Sequence, residues 1–165
     1  MHFPSLFSTF SFSLFLSTTT SALPTTSPSF ILSNFTAAVG PNGPGSPSSV
    51  HFHLVDPRPA PYSLSVDCSI KVDTNSPTTD TIYRELYTQC GGDGDDAGFI
   101  LTEGEIVVKR GWREESGAHT IYFARQGTYW DFSANGNATR TVDGSTMYTR
   151  TTDWEITVNS ASSTT

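Results

Sequence analysis

Lysine, arginine, aspartate and glutamate are all absent before Asp56, so the first third of this 165-residue chain needs an explanation of its own. Basic residues are scarce throughout, with 9 Lys and Arg against 16 Asp and Glu and a net charge of −7. That balance excludes a surface-wide attraction for nucleic acid or for anionic lipid. No apolar run approaches the roughly 20 residues that a membrane-spanning helix needs. No Gly-x-Ser-x-Gly elbow occurs, which removes the most readable form of serine hydrolase. Helical periodicity is also missing: Ser, Thr, Gly and Pro are spread along the chain, and apolar residues come in short alternating runs.

What stands at the N-terminus is a run of Leu and Phe from Leu6 to Leu16, broken only by Ser and Thr. Too short to anchor, it has the form of a signal-peptide core. Its leading segment is atypical, because the Met1 amine and His2 stand where Lys or Arg is usual. A Ser/Thr tract ends at Ala22, and the small residues Thr20-Ser21-Ala22 suit cleavage. Residues 1–22 are therefore expected to be a signal peptide, and residues 23–165 a single extracellular domain that does not enter a membrane.

Cys68 and Cys90 are the two cysteines, and an even count in an oxidising compartment points to one intramolecular disulfide. A catalytic thiol would need a neighbouring base and a reason for its partner to stay reduced. Asn34-Phe35-Thr36 and Asn137-Ala138-Thr139 are acceptor sequons, so Asn34 and Asn137 are candidate glycosylation sites on the surface.

The alternation predicts strands over Phe30–Phe35, Ser49–Val55 and Tyr62–Val72, the last two separated by the proline-rich Asp56–Pro61. In the second, Val50, Phe52 and Leu54 share the core face while Ser49, His51 and His53 share the other. Ile82–Cys90 reads as a strand or a short helix, and Gly91–Gly98 as a loop. Phe99–Leu101 and Ile106–Trp112 flank Thr102-Glu103-Gly104-Glu105 as a hairpin. His119–Arg125, Tyr129–Phe132, Thr146–Arg150 and Trp154–Asn159 complete the set. The expected fold is all-β, a single antiparallel β-barrel or sandwich with one disulfide and a core of about residues 30–159.

Phe30-Ile31-Leu32-Ser33-Asn34-Phe35-Thr36-Ala37, then Val50-His51-Phe52-His53-Leu54-Val55-Asp56-Pro57, then Cys68 and Cys90 ahead of apolar strands, form a layout that resembles the fungal Alternaria allergen 1-like (AA1-like) family of secreted proteins. The resemblance covers roughly Phe30 to Asn159. It implies a compact β-barrel of allergen or plant-elicitor type that binds plant defence proteins or flavonoid-like ligands, with no enzyme activity and no cofactor. Members often carry a second disulfide, and the allergen itself has a cysteine that links two subunits. This chain has only Cys68 and Cys90, so a covalent dimer is not expected, and no ligand residue carries over.

Candidate chemical sites are each matched by a plainer reading. His51 and His53 share one strand face as metal ligands often do, but no third ligand of known spacing follows, and a polar solvent face explains them. Asp93-Gly94-Asp95-Asp96 is acidic enough for Ca²⁺, yet the twelve-residue template ends on Gly104 rather than Glu. Gly92-x-Gly94-x-x-Ala97 matches a dinucleotide fingerprint only on paper, since its aspartates would repel a pyrophosphate. Glu103, Glu105, Asp131 and Glu155 could supply the paired carboxylates of a glycosidase. Trp112, Tyr122, Tyr129, Trp130 and Trp154 could stack on sugars if exposed, but at period two they read as core. No catalytic or metal-ligating residue is assigned. The favoured function is a secreted, non-catalytic β-barrel of allergen or effector type that binds a host protein or a small apolar ligand. The alternative is a cell-wall carbohydrate-binding or glycoside-hydrolysing protein, which requires a concave surface with exposed rings and convergent carboxylates.

Overall fold

The computed structural model describes residues 28–41, 46–73, 75, 77, 81–92, 96–113 and 117–164. The expected signal segment and Asp93–Asp95 of the acidic loop lie outside the described residues. Ten strands follow one another: β1 Ser29–Val39, β2 Ser48–Asp56, β3 Leu64–Val72, β4 Thr88–Gln89, β5 Ala97–Leu101, β6 Glu105–Arg113, β7 His119–Gly127, β8 Ala138–Arg140, β9 Thr146–Thr149 and β10 Trp154–Thr164. No helix occurs among the described residues.

All ladders are antiparallel, in the order β3-β2-β1-β10-β7-β6-β5-β4, with the β8–β9 hairpin attached to β1. The two ends of this path, β3 and β4, come back together. Cys68 on β3 is bonded to Cys90 just after β4, and the Gly91 N–H donates to the Asp67 carbonyl at 2.9 Å. The ladder thus curls into a nearly closed antiparallel barrel, and the disulfide sits on the seam.

Alternation places the core. Val50, Phe52 and Leu54 of β2 are buried, as are Cys68, Ile70 and Val72 of β3 and Ile106 and Val108 of β6. Rings meet at the centre: Phe35 lies 5.7 Å from Phe52, 5.5 Å from Tyr148 and 5.8 Å from Trp154 between centroids, and Phe52 lies 4.9 Å from Phe99. Edge-to-face and offset contacts of this kind add about 0.5–1.5 kcal/mol beyond the area they bury.

β1 serves three partners by bending in the middle. Ser29–Leu32 pairs with β10 and Thr36–Val39 with β9, while β2 runs along the other edge. At the fork the register slips, so that Asn34 and Phe35 together face Phe52 across the ladder. Asn34 adopts φ 54°, a left-handed conformation that Asn tolerates better than most residues. The extra residue lets Leu32 and Phe35 both point inward while Asn34 stays exposed.

The structure departs from the expected segments at several places. Ile82–Cys90 is neither a full strand nor a helix; only Thr88–Gln89 pairs, because its apolar residues do not alternate, Ile82 being buried and Leu86 81% exposed. Tyr129–Phe132 is a loop rather than a strand, ended by an Asx turn in which the Ser133 N–H donates to the Asp131 carboxylate at 2.9 Å. β8 had no sequence signal, and β10 continues through a polar Ser/Thr tail to Thr164 by backbone pairing with β7 alone.

Candidate functional site

One end of the barrel is filled by its own side chains. Asp56, the last residue of β2, points inward and is 2% exposed. Arg58 folds back onto it, with Nη2 at 2.6 Å from Oδ2 and Nε at 2.9 Å from Oδ1. The same guanidinium lies over the rings of Trp112, Tyr122 and Tyr62, at 4.3, 5.0 and 5.1 Å from their centroids. A buried carboxylate is costly without a partner, and this pair, walled by rings, supplies one and closes that end. Nearby, His119 Nε2 contacts the Asp96 carboxylate, and Gly111 passes so close to Asp96 that a Cβ there would collide with it.

The opposite end is open. There the 128–132 loop, the β5–β6 turn, Tyr83, Arg140 of β8 and the ends of β1 and β9 surround a groove of about 590 Å³. Its walls are Tyr83, Tyr129, Trp130 and Phe132, with Glu103 and Arg140 as charged groups and Val39, Thr128 and Thr146 between them. Tyr129 is 72% exposed and Phe132 48% exposed. Trp130 forms the floor: it packs at 5.2 Å on Tyr148 and, with Phe35, Ala37, Leu101 and Thr128, encloses a void of only about 10 Å³ below. That space holds at most one water and is too small for an organic molecule.

Hydrogen bonds fix this loop. The Thr128 N–H donates to the Gly104 carbonyl at 2.8 Å, the Asp131 N–H to the Asn137 side-chain oxygen at 2.9 Å, and the Ala138 N–H to the Asp131 carbonyl at 2.9 Å. The two Ser133 hydrogen bonds, backbone first, hold the Asp131 carboxyl below its ordinary value. Across the groove, burial and, secondarily, the Glu103 carboxylate push the Tyr83 hydroxyl up to about 12. Arg140 lies over the Phe132 ring at 5.1 Å.

The carboxylates singled out from the sequence do not converge. Glu103 lines the groove, and it is the one carboxylate among the described residues that do. Glu105 pairs with Arg125 at 3.3 Å, Asp131 holds its own loop, and Glu155 accepts from Ser29 at 2.5 Å. The aromatic set divides as well: Trp112 and Trp154 are buried, Tyr122 and Trp130 half-buried, and Tyr129 departs from the core reading altogether.

His51 and His53 lie outward on β2. His53 Nδ1 is 2.8 Å from Asp67 Oδ1 and its Nε2 is 2.8 Å from Ser65 Oγ. That hydrogen bond, with smaller charge effects from His53 and His51, lowers the Asp67 pKa. Among the described residues no group of three His, Cys, Asp or Glu side chains is placed to hold a metal ion. Asn34 is exposed on its bulge, and Asn137 is half-buried with its side-chain oxygen engaged in the loop. The alternation misplaced Tyr129 and missed Tyr83, Phe132 and Arg140, because all four sit in or beside segments whose pairing no pattern announces.

No protein-family pattern and no curated protein matches the chain. Among solved structures it is similar to the crystal structure of the major allergen Alt a 1 of Alternaria alternata, at 14% identity and a TM-score of 0.45 over 79% of this chain and 92% of that one. Similarity at this level assigns neither a family nor an activity.

Proposed function

We propose that this chain is a secreted, non-catalytic β-barrel protein of AA1-like allergen or effector type, which binds a small, planar, largely apolar ligand in the groove at its open end. The carrying observation is the groove itself, a concave site of about 590 Å³ with the exposed rings of Tyr129 and Phe132 at its rim. Ligand sites are commonly of this size, ring-lined with a few polar groups, and found at barrel mouths. The lone Glu103 supports binding over glycoside hydrolysis, which needs two carboxyl groups about 5 to 10 Å apart. The N-terminal apolar run and the Cys68–Cys90 bond support an extracellular destination. The groove's size supports a small molecule over a host protein as its occupant.

Carbohydrate binding is the second reading, favoured by the exposure of Tyr129, a ring on which a sugar could stack. Titration with a flavonoid and, separately, with a β-glucan oligosaccharide, read by tryptophan fluorescence and by NMR shifts of Tyr129 and Phe132, separates the two. The expected result is saturable flavonoid binding that weakens about fivefold to tenfold in Tyr129→Ala and in Phe132→Ala, as lost ring contacts imply. Saturation by the oligosaccharide alone would transfer the function to the second reading, and silence from both probes would remove the groove as a site.

A further inference from the structure

We infer that the groove selects a phenolic carboxylic acid, a planar ring whose carboxylate meets Arg140 and whose hydroxyl meets Glu103. This rests on the groove being the binding site. Arg140 is exposed on β8 with its guanidinium over the Phe132 ring, and among the described residues no carboxylate pairs with it. Arg58, Lys71 and Arg125 have acidic partners at 2.6, 2.9 and 3.3 Å, and Arg140 is the one described cation that lines the groove. An arginine left without such a partner, in a chain of net charge −7, is a place for an anion from outside. The Arg140 guanidinium lies 5.1 Å from the Phe132 centroid, and a guanidinium fork can give two parallel N–H···O bonds to a carboxylate.

The second charge narrows the ligand. Glu103 also lines the groove, and none of the described cations pairs with its carboxylate. An ionised carboxylate is an acceptor only, so it asks the ligand for an O–H or N–H. Tyr83 beside it is a neutral phenol at neutral pH, as any tyrosine of ordinary pKa is, and it supplies a further donor and acceptor. The same groove is lined by the exposed rings of Tyr129 and Phe132 and the half-buried Trp130, which offer ring surface. An aliphatic acid would leave those rings unused, and an uncharged flat ring would leave Arg140 unpaired. A ring with an acid group and a hydroxyl group answers all of them.

The test uses 4-hydroxycinnamate, its methyl ester and cinnamate as probes, titrated into the full secreted chain and its variants by calorimetry and NMR. Removing the acid, as in the ester, or the hydroxyl, as in cinnamate, should each weaken binding about threefold to tenfold, the range for a partly exposed charged hydrogen bond. Arg140→Gln should make acid and ester bind alike, and Glu103→Ala should make 4-hydroxycinnamate and cinnamate bind alike. Circular dichroism checks that both exposed substitutions leave the barrel folded. If acid and ester bind the wild-type groove equally while shifting Tyr129, the groove reading stands and this inference fails. If no probe shifts Tyr129 or Phe132, the groove reading itself fails and this inference falls with it.

Discussion

Tyr83 combines two neighbours that act on it in the same direction, a partly apolar surround and the Glu103 carboxylate, and both disfavour a phenolate. The fold therefore holds the neutral phenol. With an unfolded value of 10.0 and a folded value of about 12, the contribution of Tyr83 to stability is complete below pH 10. It is lost as pH rises from there towards the folded value, because the unfolded chain ionises first. Ultraviolet difference titration should show a late tyrosine step for Tyr83, and Glu103→Gln should bring that step to lower pH. A late tyrosine unmoved by Glu103→Gln would leave burial as the only cause. At this scale the sequence was informative where a residue belonged to a strand: the outward His51 and His53 follow from alternation with Val50, Phe52 and Leu54. It was silent about Tyr83, whose surround is assembled from the β5–β6 turn and the far side of the groove.

β1 is the element on which the layout depends, because its bulge turns one strand into the neighbour of three. The bulge needs a residue that accepts a left-handed conformation, and Asn34 supplies it at φ 54°. In unglycosylated protein, Asn34→Val should lower stability by about 1–3 kcal/mol, the cost of a branched side chain in that region. Asn34→Gly should stay within about 0.5 kcal/mol of wild type, since Gly adopts that conformation without strain. Urea denaturation of the two variants makes the comparison, and equal losses would mean that the side chain of Asn34, not its backbone angle, is what matters. The long strands were legible from period two: β2, β3, β6 and β7 appear within a residue or two of their expected limits, apart from the loose start of β3 at Tyr62. β8 was not, because Ala138-Thr139-Arg140 has one apolar residue and owes its pairing to β9. The groove was legible only as loose parts, since Glu103 and Trp130 become neighbours through a loop whose hydrogen bonds have no periodic signature.

At the scale of the whole molecule, closure depends on a seam that carries little backbone pairing. The Cys68–Cys90 bond and the Gly91–Asp67 hydrogen bond join β3 to the β4 region. Replacing both cysteines by serine should cost about 2–4 kcal/mol, the usual range for removing a native bridge. Hydrogen exchange should then rise most in β3 and the Thr88–Cys90 segment, while β6 and β7, paired along nine positions, keep their protection. Uniform loss of protection would mean that the seam is not a separate weak line. The pairing of β1 with β10 has a different consequence, one of time. Leu32 finds its ladder partner in Trp154, close to the other end of the chain. A ribosome adds about 5 to 20 residues per second, so on the order of 10 s passes between the emergence of the two. During that interval the β2–β3 hairpin and the Cys68–Cys90 loop can form, while Phe30 and Leu32 still lack a strand on one side. A barrel whose first strand waits for its last is a late folder, and its newborn chain presents apolar β-strand edge to chaperones before it presents a groove to any ligand.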